Sequence, residues 1–162
     1  MSHFTIAIIR PLSLLRGDDK QIFEVLTAKH FVFLALHKRN LCATTVRVLY
    51  TRLSEEDRQK AEPHYTGTCL CMVLTHPTHD PVHYFQEILG PPNVFECGKD
   101  TLRGMLGPAR LGLKKGNPFD DICHASVDET RAQFELECLF PQSVGNFIKR
   151  LKVEERKDDR TH

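Results

Sequence analysis

The strongest constraint on this chain is an alternation of period. Apolar runs of strand length recur four times, and segments with helical spacing fill the intervals. Phe4-Thr5-Ile6-Ala7-Ile8-Ile9 is β-rich and closes at Arg10-Pro11, which predicts a buried strand. Gly17-Asp18-Asp19 opens a helix with acids in its first turn, and Ile22, Phe23, Leu26 and His30 follow at helical spacing. Phe31 to His37 is the second strand. Residues 42–62 read as two helical pieces broken near Ser54, where Ser54 and Asp57 resemble a cap, and Pro63 stops the run. Gly67 to His76 is the third strand. Asp80-Pro81 starts a helix with proline at its first position, and that helix ends at Gly90-Pro91-Pro92. From Gly90 to Phe119 the chain is rich in Gly, Pro, Asn and Lys. So long an irregular stretch within a domain signals function or disorder. Asp121 to Ala125 is a short fourth strand. Ser126 to Phe140 is the last long helix, with Ser126 and Glu129 as a capping box and Pro141 at its end.

This order is the split β-α-β-β-α-β pattern. It predicts an α+β fold, a ferredoxin-like βαββαβ sandwich with a four-stranded antiparallel sheet and helices packed on one face. Residues 1–141 form the expected domain, and 142–162 are expected as a polar, solvated C-terminal tail. A chain of 162 residues suits one hydrophobic core.

Charge excludes several function classes. The 22 basic and 21 acidic residues leave a formal net charge of +1, so no global field favours nucleic acid or a membrane surface. Any anion site must be local. The apolar runs are too short to cross a bilayer, and no signal-peptide pattern opens the chain. Cys42, Cys69, Cys71, Cys97, Cys123 and Cys138 have no zinc-ribbon spacing, and reduced thiols in a cytoplasmic protein are expected. No metal site is expected, despite nine histidines.

Three groups could carry chemistry. Glu135 lies three residues after Ala132 and four before Leu139, on the apolar stripe of the last helix. A carboxylate turned toward a core needs partners; the commoner outcome is an edge position from which it reaches water. His124 stands just before that helix. Imidazole can attack a phosphoryl group when one nitrogen is free and the other is held by a carboxylate or carbonyl, and Glu135 is placed to hold it. A strand-end histidine satisfied by backbone or water is the alternative. Arg10 and Arg103 could clamp phosphates, or could form ordinary surface ion pairs.

Taken together, these residues resemble the nucleoside diphosphate kinase family. Ala7-Ile8-Ile9-Arg10-Pro11 resembles its first-strand motif A-I-I-K-P-D, and Tyr50 its helix tyrosine. Leu89-Gly90-Pro91 resembles the L-G-x turn, and Thr101-Leu102-Arg103-Gly104 matches T-[IL]-R-G. Cys123-His124-Ala125-Ser126 with Ala132 and Glu135 resembles N-x-x-H-[GA]-S-D-[SA]-x-x-S-A-x-x-E. The motifs run in family order over residues 4–141. The resemblance implies phosphoryl transfer between nucleoside tri- and diphosphates through phosphorylated His124, with Glu135 and Ser126 supporting the ring. It also implies phosphate contacts from Arg10, Tyr50 and Arg103, a nucleotide-side position for Asp121, and Mg2+ carried on the nucleotide phosphates.

Departures from the pattern define a second reading. Arg10 replaces a lysine, Leu12 an aspartate, Gln86 an arginine, Pro92 a threonine, Asp121 an asparagine and Val127 an aspartate, while Arg58 stands near the place of a base-stacking phenylalanine. Between Arg103 and His124 the chain is longer than the family spacing. Each lost phosphate contact removes about 1.5–3 kcal/mol. The chain is thus expected to be a weak phosphotransferase, or else an inactive interaction module like those in ciliary and flagellar proteins. The expected partners are nucleoside di- and triphosphates, further copies of the chain or a protein scaffold, with neither nucleic acid nor membrane.

Overall fold

Ile6 and Ile8 face one way along the first strand, Ala7 and Ile9 the other, and all four are buried. A strand apolar on both faces needs cover on both, and the structure supplies it. The computed structural model describes residues 2–117 and 119–158, with side chains through residue 150. In chain order the elements are β1 (Thr5–Ile9), α1 (Pro11–Arg16), α2 (Asp18–Ala28), β2 (Val32–Leu41), α3 (Ala43–Leu49), α4 (Glu55–Tyr65), β3 (Gly67–Thr75) and α5 (Pro81–Leu89). They continue with α6 (Leu102–Leu106), a 3-10 turn at Pro108–Leu111, β4 (Cys123–Ala125), α7 (Glu129–Leu139) and α8 (Gln142–Asp158).

The sheet runs β2-β3-β1-β4, and every adjacent pair is antiparallel. This is the expected ferredoxin-like α+β topology. Register places Ile8 opposite Cys71 on one side and His124 on the other, so the central strand carries the candidate nucleophile as its neighbour. Helices cover both faces, where one had been expected. Ile6, Ile8, Cys69 and Cys71 pack with Leu49, Tyr65 and Leu136 from α3, α4 and α7. Ala7, Ile9, Leu70 and Met72 pack with Leu26, Phe85 and Leu102 from α2, α5 and α6. Each fully buried isoleucine contributes about 1.5–3 kcal/mol.

Local chemistry sets the boundaries. Asp80 caps α5, its carboxylate accepting from the N–H groups of Val82 and His83. Thr101 caps α6 in the same way through Gly104 N–H. Gly104 itself is obligatory, because a Cβ there would lie 1.8 Å from the Gly98 carbonyl oxygen. That close approach explains the glycine of the T-L-R-G motif.

One helix was not expected, and three expectations are corrected. Pro11–Arg16 forms α1, a short helix with Pro11 at its start. Pro63 does not stop α4 but sits in its last turn, and the helix closes at Tyr65. The cap of α7 is Asp128, which accepts from Arg131 N–H, and not Ser126. Finally, residues 142–158 of the stretch read as a solvated tail form α8, with Ile148 buried against the core. Residues 159–162 of that stretch lie outside the described residues. No helix among the described residues is long and apolar enough to cross a membrane.

Candidate functional site

Strand β4 is short, yet it fixes His124 from three sides. Pairing to β1 sets its backbone, the first turns of α7 follow it, and Tyr50 at the C-terminal end of α3 closes over its ring. His124 Nε2 lies 2.8 Å from Glu135 Oε1. An ionised carboxylate only accepts, so Nε2 carries the proton and donates. Nδ1 is then the nitrogen with the free lone pair, and it accepts from the Tyr50 hydroxyl at 3.2 Å. Burial, and secondarily the Asp121 carboxylate, push Tyr50 well above the ordinary phenol range, so the hydroxyl keeps its proton and acts as donor.

Glu135 is fully buried and is not the water-reaching edge residue that spacing favoured. Its Oε2 accepts from Ser126 Oγ at 2.6 Å. Ser126 Oγ in turn accepts from Ile6 N–H at 3.1 Å, tying the carboxylate to the central strand. Burial by itself would raise the Glu135 carboxyl. The His124 ring and the Ser126 hydroxyl outweigh burial and hold it below the usual carboxylate range. Ser126 is thus a support for the glutamate rather than a helix cap.

Tyr50, Tyr65, Gln86, Arg103, Asp121 and His124 share the wall of a cavity of about 680 Å³. That volume suits a small-molecule ligand. Arg103 reaches it already engaged: Nε and Nη2 contact Asp121 Oδ2 at 2.9 and 2.5 Å, and Nη1 donates to Gly90 C=O at 2.7 Å. Burial would lower the guanidinium, but Asp121 overrides it and holds Arg103 above its ordinary value. Gln86 donates to Ser126 C=O at 2.8 Å.

The structure does not bring Arg10 to this wall. Arg10 is buried, with Nη1 2.8 Å from Asp120 Oδ1 and 2.9 Å from His64 Nδ1. It anchors the extended segment between Arg103 and His124, which Asn117 also ties to Lys60 C=O. Burial and the Arg10 charge push His64 below the usual histidine range, so the ring accepts from Arg10 as a neutral base. Lys114 and Lys115 are exposed and away from the cavity, and Arg58 pairs with Glu55. Sequence reasoning missed Arg52, His83 and Phe119 on the cavity wall. It also missed Arg131, whose spacing four residues before Glu135 was the available signal.

Comparison with known proteins agrees with this geometry. No curated protein matches the chain in sequence. Among solved structures, the chain is similar to the nucleoside diphosphate kinase of Encephalitozoon cuniculi at 20% identity and a TM-score of 0.72, over 88% of this chain and 91% of that one. The Aquifex aeolicus nucleoside diphosphate kinase aligns at 19% identity and 0.72, over 86% and 96%. The Borrelia burgdorferi enzyme, solved with vanadate and ADP as a transition-state mimic, aligns at 16% and 0.72, over 86% and 88%. At these identities the structures establish the fold. The family model described as nucleoside diphosphate kinase matches residues 3–144, and the chain belongs to the nucleoside diphosphate kinase family.

Proposed function

We propose that this protein transfers phosphoryl groups between nucleoside tri- and diphosphates through His124, at a rate limited by weak nucleotide binding. The observation that carries the reading is the fixed tautomer: Glu135 holds Nε2 at 2.8 Å, leaving the Nδ1 lone pair directed toward Tyr50 at the cavity wall. In the first half-reaction Nδ1 attacks the γ-phosphorus, the bond to the β–γ bridging oxygen breaks, and the diphosphate leaves with that electron pair. The ring then carries positive charge with its Nε2 proton retained, and the Glu135 carboxylate balances it. A second diphosphate reverses the steps. Tyr50 releases Nδ1 as the phosphate arrives and donates to a phosphate oxygen instead.

Magnesium enters this reading with the nucleotide. Among the described residues no three His, Cys, Asp or Glu side chains converge on a metal position.

Incubation with γ-labelled ATP tests the reading. An acid-labile, base-stable label is expected on the protein, and His124→Ala removes it. A folded wild-type protein that takes no label contradicts the reading.

One observation favours a second reading, that of a non-catalytic module in a larger assembly such as a cilium or flagellum. Asp121 neutralises Arg103, and Asp120 with His64 engages Arg10, so two inherited phosphate ligands are committed within the chain. In that case ADP leaves the melting temperature unchanged.

A further inference from the structure

Arg131 sits where it can act on His124 without touching it. Its Nη2 lies 3.8 Å from Glu135 Oε1, the same oxygen that holds His124 Nε2. The same Nη2 donates to Leu49 C=O, the residue before Tyr50. Its guanidinium carbon stands 4.6 Å from the centre of the Phe134 ring, and its Nε is buried without a partner. One cation therefore touches both devices that flank the imidazole: the carboxylate behind Nε2 and the chain segment carrying the hydroxyl in front of Nδ1. An exposed arginine on α7 could have turned to water. This one is mostly enclosed, with its side chain 16% exposed.

We propose that Arg131 is a positioning residue that sets the basicity of His124 by drawing charge from Glu135. Glu135 faces two cations, the ring when protonated and the guanidinium, so neither receives the full carboxylate. The ring therefore gives up its proton more readily than it would beside a carboxylate of its own, and the Nδ1 lone pair stays available at lower pH. The same partition makes a phosphorylated ring less stabilised and quicker to pass its phosphoryl group on. The other ionisable groups around the ring are Tyr50 after α3, Tyr65 at the end of α4 and Cys123 beside it on β4, with the Arg103–Asp121 pair across the cavity. Burial holds Tyr50, Tyr65 and Cys123 above their ordinary values, so they stay neutral while the histidine titrates. Arg103 and Asp121 cancel as a pair. Arg52, His83 and Glu87 stand on the same cavity wall, and Arg131 is the cation that contacts the carboxylate behind the ring.

The inference rests on the phosphohistidine reading for its catalytic meaning, but its test does not. The His124 ring is titrated by NMR in the full chain, compared with Arg131→Gln and Arg131→Lys. Removing the charge is expected to move the midpoint up by about 1 unit, the size of shift a single nearby charge produces. Lysine, which keeps the charge, is expected to restore it. A glutamine variant that is folded and titrates like the wild type overturns the proposal, as does a lysine variant that shifts as far as glutamine. Should the glutamine variant fail to fold, Arg131→Met takes its place, since it removes the charge and keeps an unbranched stem beside Phe134. An upward shift with methionine supports charge as the cause, and a methionine variant that is folded and titrates like the wild type overturns the proposal. A charge-dependent midpoint in a protein that takes no phosphate label would retain the tuning and remove the transfer reading.

Discussion

At the scale of residues, two buried pairs divide the work. On the phosphotransfer reading His124 and Glu135 are the reacting pair, whereas Arg103 and Asp121 hold each other. Glu135→Gln keeps the shape but lets an amide N–H face the ring, which favours the proton on Nδ1. Phosphate labelling is expected to fall by at least about 100-fold, as when a ring-orienting carboxylate is lost. Asp121→Asn has the opposite sense. It removes a carboxylate from the cavity and frees Arg103, and calorimetric titration with ADP is expected to show about tenfold tighter binding, equivalent to about 1.4 kcal/mol. Asp121 was legible only as a departure from the family's asparagine at a nucleotide-side position. Which cation answers it was not legible, because Arg103 and Asp121 meet only through the fold. Glu135 was legible as facing the core but not as satisfied. Its partner Ser126 looked like a cap until Asp128 was seen to take that role.

At the scale of elements, the strands and the starts of α2, α4 and α5 were readable because each has a local cause. Asp80-Pro81 begins α5, Ser54 caps α4 through Asp57 N–H, and Gly17 separates α1 from α2 with φ +78°. Asp80→Ala is expected to cost about 0.5–2 kcal/mol in urea denaturation, the range for losing an N-cap. The two-sided cover of the sheet was encoded in the unbroken apolar runs of β1 and β3, whose neighbouring positions are all buried. The helix at 142–158 was missed because its charged residues mask a few apolar ones, Val144 and Ile148 among them, that pack on the core. The course of the segment between Arg103 and His124 depends on distant anchors, Arg10 and Lys60, which no local pattern reveals.

At the scale of the whole molecule, burial and hydrogen-bond partners together sort the ionisable groups. The Glu135 carboxyl is depressed in the folded state. Its stabilisation is therefore complete above the ordinary glutamate value of about 4.3 and is lost as pH falls through the lower folded value. Unfolding free energy is expected to drop on acidification below about pH 4.3, with Glu135→Gln making the decline shallower. The thiols divide the same way. Burial pushes Cys69 and Cys71 up to about 12 and Cys123 higher still, whereas the Thr45 hydroxyl lowers exposed Cys42. Iodoacetamide at pH near 8 is expected to label Cys42 first, and Cys69, Cys71 and Cys123 only on unfolding, as read by peptide mass spectrometry.

On the phosphotransfer reading, Glu135 holds one ring nitrogen so that the other takes phosphate. Phosphorus–nitrogen correlation NMR of the protein, labelled with nitrogen-15 at histidine and incubated with ATP and magnesium, tests it directly. Phosphorus bonded to Nδ1 of His124 with Nε2 still protonated is expected; phosphorus on Nε2, or a folded protein carrying none, would overturn this reading.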